Sequence, residues 1–164
     1  MKFDLQRFGD YEPSSEDISY RGNRRWSGNF GKVWVNGDLI FEISAFSCKL
    51  TADREDVIIG QSKDSKVVSL TGEGSITIKS VFNRGFSTYL ENLKKGHDVR
   101  FKIIAVLSDP DMLNSGEERI SIDNTWFSEL DIMSFEKGAV VEKEIPFGFT
   151  PQDLSYINTV ELTS

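Results

Sequence analysis

The sequence predicts a mainly β protein, a sandwich or barrel with one α-helix beside it. About eight runs of strand-forming residues recur roughly every 8 to 15 residues, which is the spacing of a sandwich or barrel. One pair of runs is joined by Asn36-Gly37, the strongest short signal for a β-hairpin. Only one segment has apolar residues at helical spacing. A single β domain follows, since a chain of this length leaves little room for a second.

The Asn36-Gly37 hairpin is the clearest local prediction. Its two strands are KVWV and DLIFEISAFSCKL. We expect residues 45–50 to continue the second strand, across a bulge. Alternation of apolar residues predicts one buried face, made by Val33, Val35, Leu39, Phe41 and Ile43.

The next segment combines strands with an unusually charged stretch. Residues 57–59 and 75–81 are predicted strands, and the charged residues between them indicate a long loop or a projecting hairpin. Gly72 and Gly74 interrupt the strand pattern. They favour a bulge or a close approach of two backbones over a phosphate-binding loop, because no Lys-Ser/Thr pair follows them.

The predicted helix lies in NRGFSTYLENLKKG and ends at Gly96. Its apolar stripe consists of Phe86, Tyr89, Leu90 and Leu93. After it we predict a buried strand in VRFKIIAVL, a polar loop, two strands or one bent strand in RISIDNTWFSELDIMSF, and a last strand in AVVEKEIPFGF. The remaining PQDLSYI is expected to be a tail.

Composition excludes several classes of function. The net charge of −7 argues against a protein that grips nucleic acid by neutralising phosphates, but it allows one that a polyanion slides past. The single Cys48 cannot form an intramolecular disulfide and is expected to be a small buried residue. We expect no secretory signal, no membrane span and no cofactor or metal, since no apolar run and no ligand spacing predicts them.

Candidate catalytic groups are weak. His97 stands next to Asp98, yet no nucleophile motif accompanies it, so a solvated residue at the helix end is favoured. Acidic groups could in principle bind a cation or form a glycosidase pair, but solvated strand faces or subunit salt bridges are favoured; these groups are Asp53/Glu55/Asp56, Glu117/Glu118 and Glu142/Glu144. We therefore predict that the chain is not an enzyme.

Residues 1–27 differ from the β domain of residues 28–164 and are interpreted as an N-terminal arm. Phe3, Leu5 and Phe8 alternate with polar residues and are candidates for docking on a neighbouring subunit. A floppy tail is the alternative. The basic cluster Arg21, Arg24 and Arg25 is expected to meet an acidic neighbouring subunit rather than nucleic acid.

Residues 27–150 resemble the tail tube proteins of contractile phages and PBSX-like defective prophages, the XkdM-like family. The pieces that carry the resemblance agree in order and spacing: SGNFGKVWVNGDLIFEISAFSCKL, EDVIIGQSKDSKVVSLTGEGSITIKSV, AVLSDPD, GEERISIDNTWFSELDIMSFEKG and EKEIPFGFT. The opening MKFDLQRFG is similar to the start of other phage structural proteins. The arm before residue 27 is longer than the family pattern.

The resemblance implies a β-sandwich or barrel whose six copies form a ring, with rings stacked into a tube around a channel for DNA. It implies a long loop that reaches a neighbouring ring, here represented by Asp53, Arg54, Glu55, Asp56, Lys63, Asp64 and Lys66. The implied partners are further copies of the chain, a sheath protein, a tape measure protein, and baseplate and tail terminator proteins. The implied location is the virion, after assembly in the host cytoplasm.

Three alternatives remain open at this point. An Hcp-like secretion-system tube protein shares the logic of stacked rings. A monomeric ligand-binding sandwich would display exposed aromatic residues in one groove, and a hydrolase on a β scaffold would lose turnover when one acidic residue is replaced. The sequence also leaves open whether the parent particle is an infectious phage or a bacteriocin-like particle.

Overall fold

The computed structural model describes residue 22 and residues 25–79, 85–111 and 116–159. These residues form eight strands, one α-helix and two 3₁₀ turns, at Gly28–Phe30 and Pro151–Asp153. The strands are β1 (Gly31–Val35), β2 (Asp38–Ile40), β3 (Ile43–Ile59), β4 (Ser62–Lys79), β5 (Phe101–Ser108), β6 (Glu117–Phe127), β7 (Glu142–Phe149) and β8 (Leu154–Asn158), and the helix α1 spans Phe86–Lys94.

All eight strands pair antiparallel in the order β2-β1-β5-β6-β7-β4-β3, with β8 paired to β6. Strand β6 is the junction, since residues 119–122 pair with β8 while Trp126 and Phe127 pair with β7. The core lies between the two halves of this sheet. Its buried side chains come from β1, β2, β5 and β6 on one side and from β4 and β7 on the other: Val33, Ile40, Ile103, Ala105, Ile122, Ile76, Ile78, Ile145, Phe147 and Phe149.

The Asn36-Gly37 hairpin forms as predicted, but its buried face differs from the prediction. Both turn residues have positive φ, 52° and 90°, as a two-residue hairpin turn requires. This turn pairs Val33 with Ile40, so an odd-numbered position faces an even-numbered one across it. Ile40 is therefore buried, whereas Leu39 and Phe41 are exposed. The predicted placement of Leu39 and Phe41 in the core was wrong. A two-residue loop pairs odd-numbered residues of β1 with even-numbered residues of β2, so the buried face changes from odd to even positions.

The second strand of this hairpin is also shorter than predicted. Strand β2 ends at Ile40, and after Phe41 and Glu42 the chain begins β3, which pairs with β4 instead of β1. The backbone N–H of Lys79 donates to the carbonyl of Glu42 at 2.9 Å and holds this corner against the end of β4. The turn therefore transfers the chain from one half of the sheet to the other.

Gly72 and Gly74 mark a close approach, as the sequence indicates. A Cβ at Gly74 would lie 2.3 Å from the carbonyl oxygen of Ser47 and 2.4 Å from the ring of Phe147. A Cβ at Gly72 would lie 2.4 Å from the ring of Phe149. The two phenylalanine rings therefore lie across glycine backbone, in space that any larger residue would fill.

Helix α1 is the predicted helix and packs across one end of the sandwich. Gly96 has φ +82°. The N–H of Gly96 donates to the carbonyl of Leu93 and the N–H of His97 to the carbonyl of Asn92, the pair of hydrogen bonds that ends a helix at a glycine. Tyr89 is buried and meets the rings of Phe101 and Phe127, with centroids 5.7 and 5.2 Å away. Aromatic contacts therefore hold the helix in place.

The last third of the chain departs from the prediction in two places. Only β6 is a strand within residues 117–135, and residues 128–141 form an irregular β6–β7 loop. The segment interpreted as a tail contains a short 3₁₀ turn and β8, which pairs with β6. Five residues of strand are too short to carry a clear alternating pattern, so pairing with β6 decides this structure.

Replacing Gly74 with Ala is expected to destabilise the domain. The new Cβ would overlap a backbone oxygen and a buried ring, and overpacking of this kind costs about 1 to 3 kcal/mol. The free energy of unfolding from urea denaturation measures the loss. Gly28→Ala is the control, because a Cβ at Gly28 meets nothing within 4 Å; equal stability of the two variants would contradict the close approach.

Candidate assembly surfaces

The dominant surface feature is a long two-stranded ribbon. Strands β3 and β4 pair from Ile43↔Ile78 to Ile59↔Ser62, around a turn at Gly60 and Gln61. The β7 strand pairs with β4 only from Lys79 to Gly72. Beyond Gly72 the ribbon therefore continues for about ten residues per strand, or about 33 Å at the rise of a β-strand, with no third strand among the described residues. We call residues 50–71 the projecting hairpin.

The predicted charged residues lie on this projecting hairpin. They face solvent and form short local contacts, as exposed ion pairs and hydroxyl bonds do. Lys63 Nζ lies 2.7 Å from Asp56 Oδ2, Ser69 Oγ donates to Asp53 Oδ2 at 2.7 Å, and Arg54 Nη1 donates to Ser65 Oγ at 3.2 Å. Glu55 stands opposite Lys66 in the register, and Asp64 follows the turn on β4, opposite Val57. The structure thus places all seven on one element.

One face of the projecting hairpin is an apolar continuation of the core. Phe46 and Cys48 pack against the buried cluster, and alternate positions share a face, so Leu50 continues the same row. Beyond it lie Leu70 and, after a register shift, Val67. All three are exposed. We call Leu50, Val67 and Leu70 the apolar strip.

The opposite face of the same ribbon is polar. Its cross-strand pairs are Ser47↔Ser75, Lys49↔Glu73, Thr51↔Thr71 and Asp53↔Ser69. Hydroxyl pairs and opposite charges are favourable neighbours across antiparallel strands. This ribbon therefore has one face that needs a covering partner and one that tolerates water.

A second apolar surface lies on the β6–β7 loop. Ile132, Met133, Phe135 and Val140 are 68–79% exposed, and we call these four residues the loop patch. The Lys143 ammonium donates to the carbonyl of Ile132 at 3.3 Å, which ties the loop to the start of β7. Sequence reasoning missed this surface because the apolar residues of LDIMSF were interpreted as a strand.

A cavity of about 550 Å³ opens where α1 meets the sandwich. Its walls are mainly apolar, and Tyr89 belongs to them; burial raises the pKa of the Tyr89 phenol. Two of its lining residues, Ile78 and Gly85, are close in sequence to the segment 80–84, which lies outside the described residues. We assign the cavity no ligand.

The start of the domain is fixed by Asp109. This buried carboxylate accepts hydrogen bonds from the backbone N–H of Ser27 at 3.0 Å and of Asp111 at 3.1 Å. Two residues before Ser27, the Arg25 side chain is exposed. Phe3, Leu5, Phe8, Arg21 and Arg24 lie outside the described residues, so their predicted docking on a neighbour stays a prediction.

The candidate catalytic residues are not brought together. His97 is exposed, and the Asp98 carboxylate is engaged by Arg100, whose guanidinium also lies 4.5 Å over the Trp126 ring. Arg119 Nε lies 2.9 Å from Glu117 Oε1, which is the distance of an ion pair. Among the described residues, no three His, Cys, Asp or Glu side chains are grouped so that they could hold a metal ion. No helix within those ranges has the length and apolar character needed to cross a membrane.

A match over most of the sequence identifies the protein family. Residues 18–155 match the family described as phage tail tube protein. The chain belongs to the phage tail tube protein family. This tail tube protein is also 27% identical over 131 residues to the phage-like element PBSX protein XkdM of Bacillus subtilis (strain 168), a match that covers 78% of this chain and 88% of the relative. The resemblance stated from the sequence is confirmed.

Solved structures agree on the fold. This tail tube protein superposes on a chain of the PVC sheath-tube complex of an extracellular contractile injection system with a TM-score of 0.66 at 10% identity, covering 90% of this chain and 100% of the other. It superposes on a chain of the anti-feeding prophage cap, the tube terminating cap, with a TM-score of 0.66 at 8% identity, over 82% of this chain and 92% of the other. The predicted mainly β fold with one helix is confirmed, and the chain is a structural subunit of the phage tail tube family.

Burial of Cys48 predicts a slow thiol. Cys48 is half-buried, and desolvation raises its pKa, so less reactive thiolate is present at a given pH. We expect iodoacetamide to alkylate native protein several-fold more slowly at pH 8 than protein unfolded in urea. Mass spectrometry measures both rates, with Cys48→Ser as the background. Equal rates in the two states would contradict burial of this side chain.

Proposed function

We propose that this tail tube subunit assembles into hexameric rings that stack into a tube with a central channel. Six is the number that the resemblance implies. The observation that carries the proposal is the projecting hairpin, because it exposes an apolar strip and strand edges that the described residues of a single copy leave uncovered. Exposed strand edges and uncovered apolar rows are the means by which β subunits join one another.

The covering partner is proposed to be another copy of the chain. The outer edge of β3 has no strand partner among the described residues, so its N–H and C=O groups can pair with a neighbouring strand. The apolar strip lies on the same element. A ring neighbour that supplied both a strand and a hydrophobic surface would satisfy edge and strip together.

We further propose that the polar face of β3 and β4 lines the channel. Its serine and threonine pairs stay hydrated, Lys49 balances Glu73, and Asp53 leaves these pairs with a net negative charge. The chain as a whole carries −7. DNA would pass such a wall without being held, because like charges repel within a Debye length of about 8 Å at physiological salt.

The proposed partners follow from the family and from the particles that contain the similar folds. The PVC chain belongs to a sheath-tube complex, and the anti-feeding prophage chain to a tube terminating cap. We propose sheath and tail terminator proteins as partners here, together with the tape measure and baseplate proteins that the resemblance implies. Assembly is proposed to occur in the host cytoplasm, and no catalytic role is proposed.

An Hcp-like secretion-system tube protein is the alternative, and it shares the same ring geometry. The family match over residues 18–155 favours the phage tail tube. A monomeric ligand-binding sandwich is disfavoured by the length of the projecting hairpin. In a protein that stays monomeric, such an exposed ribbon with an apolar face would favour aggregation.

Negative-stain electron microscopy of the purified protein across concentrations tests the proposal. We expect sixfold rings or hollow tubes from the natural sequence. Leu70→Asp should abolish them, because it places a charge within the contact proposed for the apolar strip, while circular dichroism stays unchanged for this exposed position.

Thr71→Asp is the matched control. Thr71 is also exposed and adjacent in sequence, but it lies on the polar face of the same strand, so this variant should still assemble. A strict monomer at every concentration, with preformed baseplate added as well, would overturn the tube proposal. Equal assembly of Leu70→Asp and Thr71→Asp would overturn the role of the strip.

The N-terminal arm, residues 1–27, is proposed to pack on an adjacent subunit through Phe3, Leu5 and Phe8 and through the basic cluster Arg21, Arg24 and Arg25. Deleting residues 1–25 keeps Ser27 and its bond to Asp109, so the domain should remain folded. We expect fewer and shorter tubes, measured by electron microscopy at matched concentration. Tubes of unchanged yield and length would refute a role for the arm.

A further inference from the structure

We propose that the tip of the projecting hairpin of one copy binds the loop patch of a copy in the adjacent ring. This inference rests on the proposed function and assigns the receiving surface for the tip. The tip carries Val57, Ile58 and Ile59, which we call the tip patch. Ile58 and Ile59 are 80% and 61% exposed.

The register places the two patches at opposite ends of the subunit. Strand β7 runs antiparallel to β4 from Lys79↔Glu142 to Gly72↔Phe149. The β6–β7 loop leads into Glu142, at the Lys79 end of β4, whereas the hairpin tip lies beyond the Gly72 end. About eighteen residues of β4 separate the ends, which is about 60 Å along an extended strand.

This separation prevents the tip patch from covering the loop patch of its own chain. The ribbon is paired along its whole length, from Ile43↔Ile78 to Ile59↔Ser62, so its tip cannot fold back to the Lys79 end without breaking the ladder. Each patch is a cluster of large apolar side chains, and clusters of this kind mark interaction sites on folded proteins. A second copy can bury both.

The second copy is favoured over a different protein because the patches match in character and in number. Every subunit carries one of each, so a contact between unlike ends uses all of them and repeats along an axis. Within the tip, Lys63 is already paired with Asp56, so the approach of the tip adds no unpaired cation to the contact. The contact is then mainly hydrophobic, with polar groups at its rim.

Site-directed crosslinking tests the pairing. In full-length chain carrying Cys48→Ser, we would combine Ile58→Cys with Met133→Cys and, separately, with Phe135→Cys, assemble the protein and oxidise it. A disulfide needs Cα atoms within about 7 Å, so only neighbouring positions link. We expect a ladder of multimers on a non-reducing gel, because each subunit is joined to one above and one below.

The matched control combines Ile58→Cys with Ile157→Cys, an exposed apolar position on β8. It should give no ladder. Rings or tubes without a ladder from either test pair, or an equal ladder from the control pair, would overturn the assignment and leave the tube proposal standing. Absence of any rings or tubes from the natural sequence would instead overturn the proposed function and this inference with it.

A charge exchange tests the same contact without cysteines. Ile58→Lys and Met133→Asp should each reduce the yield of tubes while rings persist, because each places a charge in an apolar contact. The double variant should recover much of that yield, since the two charges then oppose each other across the interface. A double variant no better than either single variant would count against direct contact between the two patches.

Discussion

The packing of two phenylalanine rings onto glycine backbone is the constraint on which the architecture depends. Phe147 and Phe149 are almost fully buried, and each occupies the space that a side chain at Gly74 or Gly72 would fill. Phe46 on β3 stacks on Phe147 with centroids 6.0 Å apart, so the ribbon joins the core at this point. Core packing and the direction of the projecting hairpin are thereby fixed by the same contacts.

Beyond Gly72 the ribbon leaves the support of β7, and this decides how the subunit behaves. A two-stranded ribbon is marginal in water unless another surface covers it. Its core-side row remains apolar at Leu50, Val67 and Leu70, while its other row is made of hydroxyl and charged pairs. Along residues 50–53 and 69–71 the apolar side chains therefore lie on one face only, as they do in a strand that a partner covers on that face and water on the other.

Turn and helix-ending residues predicted the hairpin and the end of the helix. The features that the sequence analysis missed depend on how distant strands pair. Asn36-Gly37 and Gly96 fix backbone conformations that few other residues adopt, so the hairpin and the helix end could be predicted. Leu39 was misplaced because the turn reverses the parity of the buried face, and β8 was missed because its pairing with β6 comes from residues far apart in sequence. The loop patch could not be foreseen from apolar content, since exposure depends on what the folded sheet leaves uncovered.

The two ends of the subunit are unlike, and this has a consequence for assembly. A contact between a projecting tip and a receiving loop that repeats along an axis leaves one free end of each kind after every addition, so the stack stays open. Such a contact sets the direction of growth but no length. Tube length must then come from outside the subunit. This need for an external limit on length is the physical reason for including a tape measure protein and a tail terminator protein among the proposed partners.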